Sequence, residues 1–289
     1  LIAMTETMGL PPALVITVSS ILGLLIGSFL NVVIYRIPLQ LSASWRKDSL
    51  DFLGMEPDAK TTKVNIVVPA SHCPKCGAEV KPWQNIPVIS YLFLKGKCAS
   101  CSTPISLQYP LVEIVCALLT TYVVLHFGVS TTGFLVLLFS WSLLALTGID
   151  FNEQLLPDSI TLPLLWLGLL VNTQNTFATL NDAVIGAAAG YLALWWIFWV
   201  FKLITGKEGM GHGDFKLLAA LGAWMGWQQL LLIVLLSSMV GAVVGIAMMI
   251  FMGRDKQIPI PFGPYLAAAG WIALIWGESI TSHYLSLYS

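Results

Sequence analysis

A series of apolar segments, divided by polar breaks, constrains the fold of this chain more than any other feature. Eight segments share a near absence of Asp, Glu, Lys and Arg: 13–35, 109–127, 132–149, 159–171, 183–201, 215–227, 230–252 and 261–276. The chain is 57% hydrophobic and 10% charged, whereas soluble domains carry about 25% charged residues. About 20 apolar residues cross a bilayer as a helix. We therefore predict an all-α polytopic membrane protein with about eight transmembrane helices.

Two of these segments are too short for an ordinary crossing. Segments 159–171 and 215–227 would each form about 20 Å of helix, against a hydrocarbon core of about 30 Å. We expect the membrane to be thinned or indented by water beside them. The start of the chain has no basic region and no small-residue cleavage site, so segment 13–35 is expected to be a retained anchor.

The basic residues predict an orientation. If the N-terminus lies outside, all 14 Lys and Arg fall in or beside breaks that face the cytoplasm: Arg36, Arg46, Lys47, Lys60, Lys63, Lys75, Lys81, Lys95, Lys97, Lys202, Lys207, Lys216, Arg254 and Lys256. The breaks assigned to the outside contain none, as the positive-inside rule requires. The expected domains are a periplasmic N-terminus with the first helix (1–35), a cytoplasmic domain (36–108) and a seven-helix membrane domain (109–289). Both termini would then be periplasmic, and no nucleic-acid partner is expected.

The cytoplasmic segment holds four of the five cysteines, in two CxxC pairs. They are Cys73, Cys76, Cys98 and Cys101, and small turn-forming residues adjoin each pair. This spacing is typical of a tetrahedral zinc site, and four sulfur ligands leave no open position for catalysis. A structural zinc ion that stabilises this domain is the favoured interpretation, with a redox dithiol or unrelated cysteines as alternatives. Cys116, in segment 109–127, is expected to be a packing residue.

Two aspartates adjoin the two short segments. Asp150 ends segment 132–149 and Asp214 precedes segment 215–227, so the predicted topology brings both to the cytoplasmic face. Two close carboxylates share one proton, so that one activates water while the other polarises a peptide carbonyl. Gly211 and Gly213 would form a loop that an extended substrate backbone can approach closely.

Structural roles compete with this interpretation for several acidic and basic side chains. Asp214 could be only a helix cap or dipole partner, and Asp158 is better explained as an N-cap. Lys216 could lie at the membrane interface or adjust the charge at Asp214. Glu113 could pair with Arg36 or line the site, and the sequence does not choose between these roles.

The motifs around these residues carry a resemblance. GHGD at 211–214 matches the GxGD signature of aspartyl membrane proteases, and GMGHGDFKLLAALGAW at 209–224 resembles the bacterial type IV prepilin peptidases. Further motifs resemble the same family and occur in the same order as in its members: GSFLNVVIYRIP, the double CxxC, YPLVE, IDFNEQLLPD and PFGPYLA.

The resemblance implies a bifunctional enzyme of the bacterial inner membrane. Such enzymes remove the basic leader of type IV prepilins and type II secretion pseudopilins at the cytoplasmic face, after a glycine and before the apolar helix of the substrate. The catalytic aspartates of the family map onto Asp150 and Asp214. The cysteine domain implies a second activity, methylation of the new N-terminal amine with S-adenosylmethionine, for which no binding residue is identified.

Two alternatives remain at this point. One is an intramembrane protease of the presenilin or signal-peptide-peptidase type, although its first aspartate normally follows a tyrosine and Asp150 follows Ile149. The other is a transporter with a zinc-stabilised cytoplasmic domain. Carboxylates of transporters tend to lie near the membrane midplane, and the two aspartates are predicted at the membrane surface.

Overall fold

The computed structural model describes residues 11–55, 65–67, 70–252 and 261–286. Within these residues the regular structure is helical, apart from two isolated β-bridges. The α-helices are α1 (Pro12–Phe52), α2 (Ile89–Phe93), α3 (Gln108–Phe127), α4 (Thr131–Glu153), α5 (Asp158–Val171), α6 (Leu180–Thr205), α7 (His212–Met225), α8 (Leu230–Met252) and α9 (Gly263–Ser286). Each of the eight predicted apolar segments contributes one helix. The all-helical prediction is therefore confirmed.

The number of membrane crossings is supported only in part. Five of the described helical stretches are long and apolar enough to cross a bilayer: α1, α3, α4, α6 and the stretch Trp227–Ile250 that contains most of α8. Helices α5 and α7 have 14 residues each, or about 21 Å. The count of eight crossings therefore stays a prediction. Of the basic residues used for orientation, Lys60, Lys63, Arg254 and Lys256 lie outside the described residues.

The chain divides into two compact units, Leu1–Ala145 and Leu146–Ser289. In the first unit α1 packs along α3 through two glycines spaced four residues apart. A Cβ atom on Gly23 would lie 2.5 Å from the Cα of Ala117, and one on Gly27 would lie 2.7 Å from the Cα of Glu113. Small residues at this spacing let two membrane helices approach closely. Helix α1 continues to Phe52, beyond the predicted end of the first span at residue 35.

The second unit is built around α7. Eleven of its fourteen residues are buried, because its side chains are apolar on every face. Gly186 and Gly190 of α6 lie against the backbone of α7, where added Cβ atoms would meet the carbonyl oxygens of Gly222 and Leu218 at 2.5 and 2.6 Å. Helices α5 and α9 also contact α7. A short helix enclosed by its neighbours has no need to cross the bilayer alone.

Polar groups fix the far end of α7. The indole N–H of the buried Trp224 donates to the carbonyl oxygen of Leu164 at 2.8 Å. The buried side chain of Asn172 donates to the carbonyl oxygens of Ala223 and Trp224, both at 2.9 Å. The two bonds from Asn172 satisfy carbonyls that the end of a helix leaves without partners, and the bond from Trp224 joins α7 to α5. The opposite end of α7 begins at the glycine-rich turn that carries Asp214.

Candidate active site and metal centre

Three helix ends meet around the two aspartates in the second unit. Asp150 lies in the last turn of α4, Asp214 in the first turn of α7, and Gly263 is the first residue of α9. Asp150 is 5% exposed and Asp214 is 6% exposed, so both carboxyl groups are removed from bulk solvent. The structure therefore brings together the two side chains that the sequence placed at one face of the membrane.

Asp150 is anchored by the backbone. The N–H of Gly263 donates to its Oδ2 atom at 2.9 Å, in a buried hydrogen bond. That N–H lies at the N-terminus of α9, where the helix dipole favours negative charge. Both effects favour the ionised form of the Asp150 carboxylate and oppose the effect of its burial.

Asp214 is only partly supported by hydrogen bonds. Its buried Oδ1 atom has no hydrogen-bond partner within the part of the chain that the structure describes. Burial, and secondly the negative charge of Asp150, raise the pKa of Asp214 to about 7. A backbone hydrogen bond from Gly211 lowers this pKa but does not offset the two larger causes, so the carboxyl group is most stable when it keeps its proton. The surroundings of Asp150 thus suit a base, and those of Asp214 suit an acid.

The two glycines before Asp214 have different surroundings. An added Cβ on Gly211 would meet only the Oδ2 atom of Asp214 at 3.9 Å and the backbone nitrogen of Gly213 at 4.0 Å, and the φ of Gly211, −81°, is ordinary. An added Cβ on Gly213 would lie 2.7 Å from the Cβ of Leu156. Gly213 is therefore required by packing inside the protein, whereas Gly211 leaves space beside the carboxyl group.

Lys216 and Asp158 form an ion pair between α7 and α5. The Lys216 Nζ atom lies 2.6 Å from Oδ1 and 2.8 Å from Oδ2 of Asp158. The expectation that Asp158 is an N-cap is wrong by one position, because Pro157 is the N-cap and α5 begins at Asp158. The role of Lys216 that the structure shows is this ion pair.

Glu113, in the first unit, is buried in α3 with 7% of its surface exposed. Its Oε2 atom accepts the backbone N–H of Val88 at 2.7 Å. Arg36 is also buried and donates to the carbonyl oxygens of Asn65 and Ile66.

The four predicted cysteines converge. The sulfur atoms of Cys73, Cys76, Cys98 and Cys101 all lie within 4.8 Å of one another, and those of Cys73 and Cys101 are 3.8 Å apart. Zn–S bonds of about 2.3 Å in a tetrahedron place the sulfur atoms about 3.8 Å apart. The cluster therefore fits a four-sulfur metal site. Cys116 is fully buried in α3, as expected of a packing residue.

Two matching turns present these sulfurs. The N–H of Cys73 donates to the carbonyl oxygen of Ala78, and the N–H of Cys98 donates to that of Thr103. The residue after each pair has a positive φ, +71° at Gly77 and +57° at Ser102. Gly77 adopts this conformation without strain, since it has no Cβ.

Gly263 is the site residue that the sequence did not single out. An added Cβ there would lie 2.7 Å from Oδ2 of Asp150 and 3.1 Å from Cδ2 of Leu156. The sequence offered only the position of Gly263 within the motif PFGPYLA, and this motif does not indicate which residue Gly263 contacts. Its contact with Asp150 joins residues 113 positions apart.

Two known protein families match separate parts of the chain. Residues 21–127 match the Bacterial Peptidase A24 N-terminal domain, and residues 137–246 match the Type IV leader peptidase family. The cysteines and Glu113 fall in the first match, and both aspartates fall in the second.

Three relatives share the description prepilin leader peptidase/N-methyltransferase. The Pseudomonas aeruginosa relative is 56% identical over 92% of this chain and 91% of its own length. The Stutzerimonas stutzeri relative is 54% identical over 92% of each chain. The Pseudomonas putida relative is 50% identical over 97% of each chain. No solved structure matches the chain.

Proposed function

Because this chain belongs to the type IV leader peptidase family, we propose that Asp150 and Asp214 are its catalytic pair. The observation that carries this proposal is the asymmetry of two neighbouring buried carboxyl groups. Asp150 accepts a backbone N–H, whereas the Oδ1 atom of Asp214 has no partner among the described residues. Family membership also decides against the transporter and the presenilin-type protease.

The asymmetry assigns one role to each carboxyl group. The ionised Asp150 removes a proton from a water molecule, which attacks the carbonyl carbon of the scissile peptide bond. The protonated Asp214 donates to the carbonyl oxygen, where negative charge develops. As the C–N bond breaks, Asp150 passes the proton taken from water to the leaving amine, and Asp214 takes a proton back from a hydroxyl group of the tetrahedral intermediate. The pair again holds one proton. The open space beside Gly211 would receive the substrate backbone.

The substrate class follows from the names of the relatives. We infer that the chain cleaves prepilins and then methylates the new N-terminal amine. The motifs that resemble the family extend this proposal to type II secretion pseudopilins. The substrate's apolar helix would lie in the bilayer, with its basic leader in the cytoplasm. The clustering of basic residues in the predicted inner breaks supports a bacterial inner-membrane enzyme whose site faces the cytoplasm.

The metal and the methyl donor have separate roles. Cys73, Cys76, Cys98 and Cys101 would hold zinc, whose complete sulfur coordination makes it structural. S-adenosylmethionine, when bound, supplies a methyl group on a positively charged sulfur. A buried carboxylate in the first unit, that of Glu113, has the charge that suits both a cationic donor and an amine.

One experiment tests both activities. The purified protein is incubated with a full-length prepilin and labelled S-adenosylmethionine, and mass spectrometry locates the cleaved bond and the methyl group. We expect cleavage after a glycine at the end of the basic leader, followed by a single methyl group on the new N-terminus. Cleavage without methyl transfer would refute the second activity alone, and no cleavage would refute the first.

A further inference from the structure

Glu113 is a buried acid that the peptidase reaction does not use. It lies in the second turn of α3, and only 7% of its surface is exposed. Its backbone is pressed against α1, since a Cβ added to Gly27 would lie 2.7 Å from its Cα. Acidic side chains within membrane helices are costly and usually have a function.

Two donors hold the carboxylate of Glu113. The N–H of Val88 donates to Oε2 at 2.7 Å, and the hydroxyl of Ser28 also hydrogen-bonds the carboxylate. Both groups donate to a negative charge, so they favour the ionised carboxylate and oppose the cost of its burial. Glu113 therefore has the environment of a cation-binding group or a base.

Val88 adopts an unfavourable conformation where it meets Glu113. Its φ is +58°, in the left-handed region that β-branched residues rarely enter. Conformations of this kind cluster at functional sites, where the surrounding structure maintains them. Since the N–H of Val88 contacts the Glu113 carboxylate, the strained residue and the buried charge belong to one local arrangement.

A second polar contact lies one turn before Glu113. The side-chain amide of the buried Asn31 donates to the carbonyl oxygen of Tyr109 at 3.0 Å. Tyr109 itself is 43% exposed. The α1–α3 pair thus has a polar end at the break that the charge pattern places in the cytoplasm, where cleavage would release a new N-terminus.

We propose that Glu113 binds the α-ammonium group of the cleaved substrate and accepts its proton before methylation. The role rests on the proposed function, because only a peptidase that also methylates presents this group. One N–H bond breaks, its proton passes to the carboxylate, and a neutral amine with a free electron pair remains. The amine then forms its N–C bond to the methyl group, while the electron pair of the broken C–S bond stays on sulfur.

Binding without a methyl donor tests the first half of this role. A peptide with the sequence of a mature pilin N-terminus is titrated into the purified protein, once with a free amine and once acetylated. We expect about tenfold tighter binding of the free amine, from charge-assisted hydrogen bonds. Asp214→Asn should keep this preference, which separates Glu113 from the aspartates. Equal binding of the two peptides to the wild-type protein would overturn the proposal.

Glu113→Gln is the matched variant. The amide oxygen still accepts the N–H of Val88 at nearly the same volume, whereas the negative charge and the base are lost. We expect the preference for the free amine to disappear and methylation of the pre-cleaved peptide to fall about 100-fold, the usual effect of a general base. Leader cleavage should stay within twofold and so shows that the protein is folded.

Glu113→Asp keeps the charge on a shorter side chain and should retain the preference for the free amine and part of the methylation. Wild-type methylation by a folded Glu113→Gln variant would refute the role of Glu113 alone. Failure of the wild-type protein to methylate the pre-cleaved peptide would instead refute the methyltransferase part of the proposed function. If Glu113→Gln also loses cleavage, the wild-type comparison of free and acetylated peptides decides.

Discussion

The two compact units bury acidic side chains to the same extent but surround them differently. Glu113 in the first unit is 7% exposed, and Asp150 and Asp214 in the second are 5% and 6% exposed. Glu113 and Asp150 each accept a backbone N–H, whereas Oδ1 of Asp214 accepts no hydrogen bond from any described residue. Burial alone therefore does not determine the chemistry of an acid. Burial favours the protonated form of each acid, and the donors and charges around the carboxyl group set how strongly its ionised form is opposed.

Among the changes that leave both aspartates in place, removing the space at Gly263 should have the largest effect on this contrast. In Gly263→Ala the new Cβ would lie 2.7 Å from Oδ2 of Asp150, so the carboxylate must move. We expect leader cleavage to fall about 100-fold, since misplacement by about 1 Å costs that much. Methylation of a pre-cleaved peptide should be unchanged. Ala268→Gly, at an exposed position of the same helix, is the control, and equal losses in both variants would contradict the role of Gly263.

The pH dependence of cleavage should show which acid keeps its proton. Burial and the charge of Asp150 raise the pKa of Asp214 to about 7. If the protonated form is active, kcat/KM falls about tenfold per pH unit above pH 7. Cleavage that stayed constant up to pH 9 would mean that Asp214 does not act as the acid.

The same shift affects stability. The folded protein binds an additional proton between the ordinary Asp pKa near 4 and about 7. The contribution of Asp214 to the free energy of unfolding is therefore complete at low pH and decreases as the pH rises through that window. Asp214→Asn should remove this decrease, as measured by thermal unfolding in detergent at pH 5 and pH 8.

Loss of the metal should affect the first unit and spare the second. Cys98→Ser removes one of the four converging sulfurs, and we expect metal analysis to show the loss of one bound zinc ion per chain. Methylation should fall at least tenfold because the segment that carries Val88 loses its cross-link, while cleavage stays within threefold. Cys116→Ala, outside the cluster, should keep its zinc. Zinc in equal amounts in Cys98→Ser and wild type would contradict the assignment.

The smallest effect is expected at Lys216. Its charge pairs with Asp158, and these side chains are 29% and 55% exposed. Exposed ion pairs contribute about 0–1 kcal/mol, and solvent screens this one. Lys216→Met should change the rate of cleavage less than twofold, and kcat/KM should still begin to fall near pH 7. If the pH at which kcat/KM begins to fall moved by a full unit, Lys216 would be shown to act on Asp214.

The sequence predicted those parts of the structure that depend on composition and local spacing. Each of the eight apolar segments corresponds to one described helix, and the CxxC spacing predicted the cysteine cluster. The basic residues predicted that Asp150 and Asp214 share one face, and the structure places their carboxyl groups within electrostatic reach of each other. Each of these inferences needs only the period of a helix, the length of a span or the geometry of a turn.

Contacts between distant segments were not predictable in this way. Gly263 and Asp150 are 113 residues apart, and their contact depends on how α9 packs beside α4 and α7. Nothing in the sequence showed that Val88 would take a positive φ and donate to Glu113, since valine favours extended backbone. The sequence also predicted that both glycines of GHGD serve the substrate. It did not show that Gly213 packs against Leu156 inside the protein.

The most direct measurement is a two-substrate assay of Asp214→Asn. Asparagine has nearly the same volume and cannot donate the acidic proton. With a full-length prepilin we expect cleavage to fall at least about 1,000-fold, the range for loss of a general acid in a buried site. With a pre-cleaved peptide and S-adenosylmethionine, methylation should equal that of the wild-type protein, which shows that the variant is folded. Cleavage of the prepilin at the wild-type rate by a folded Asp214→Asn variant would contradict the catalytic pair.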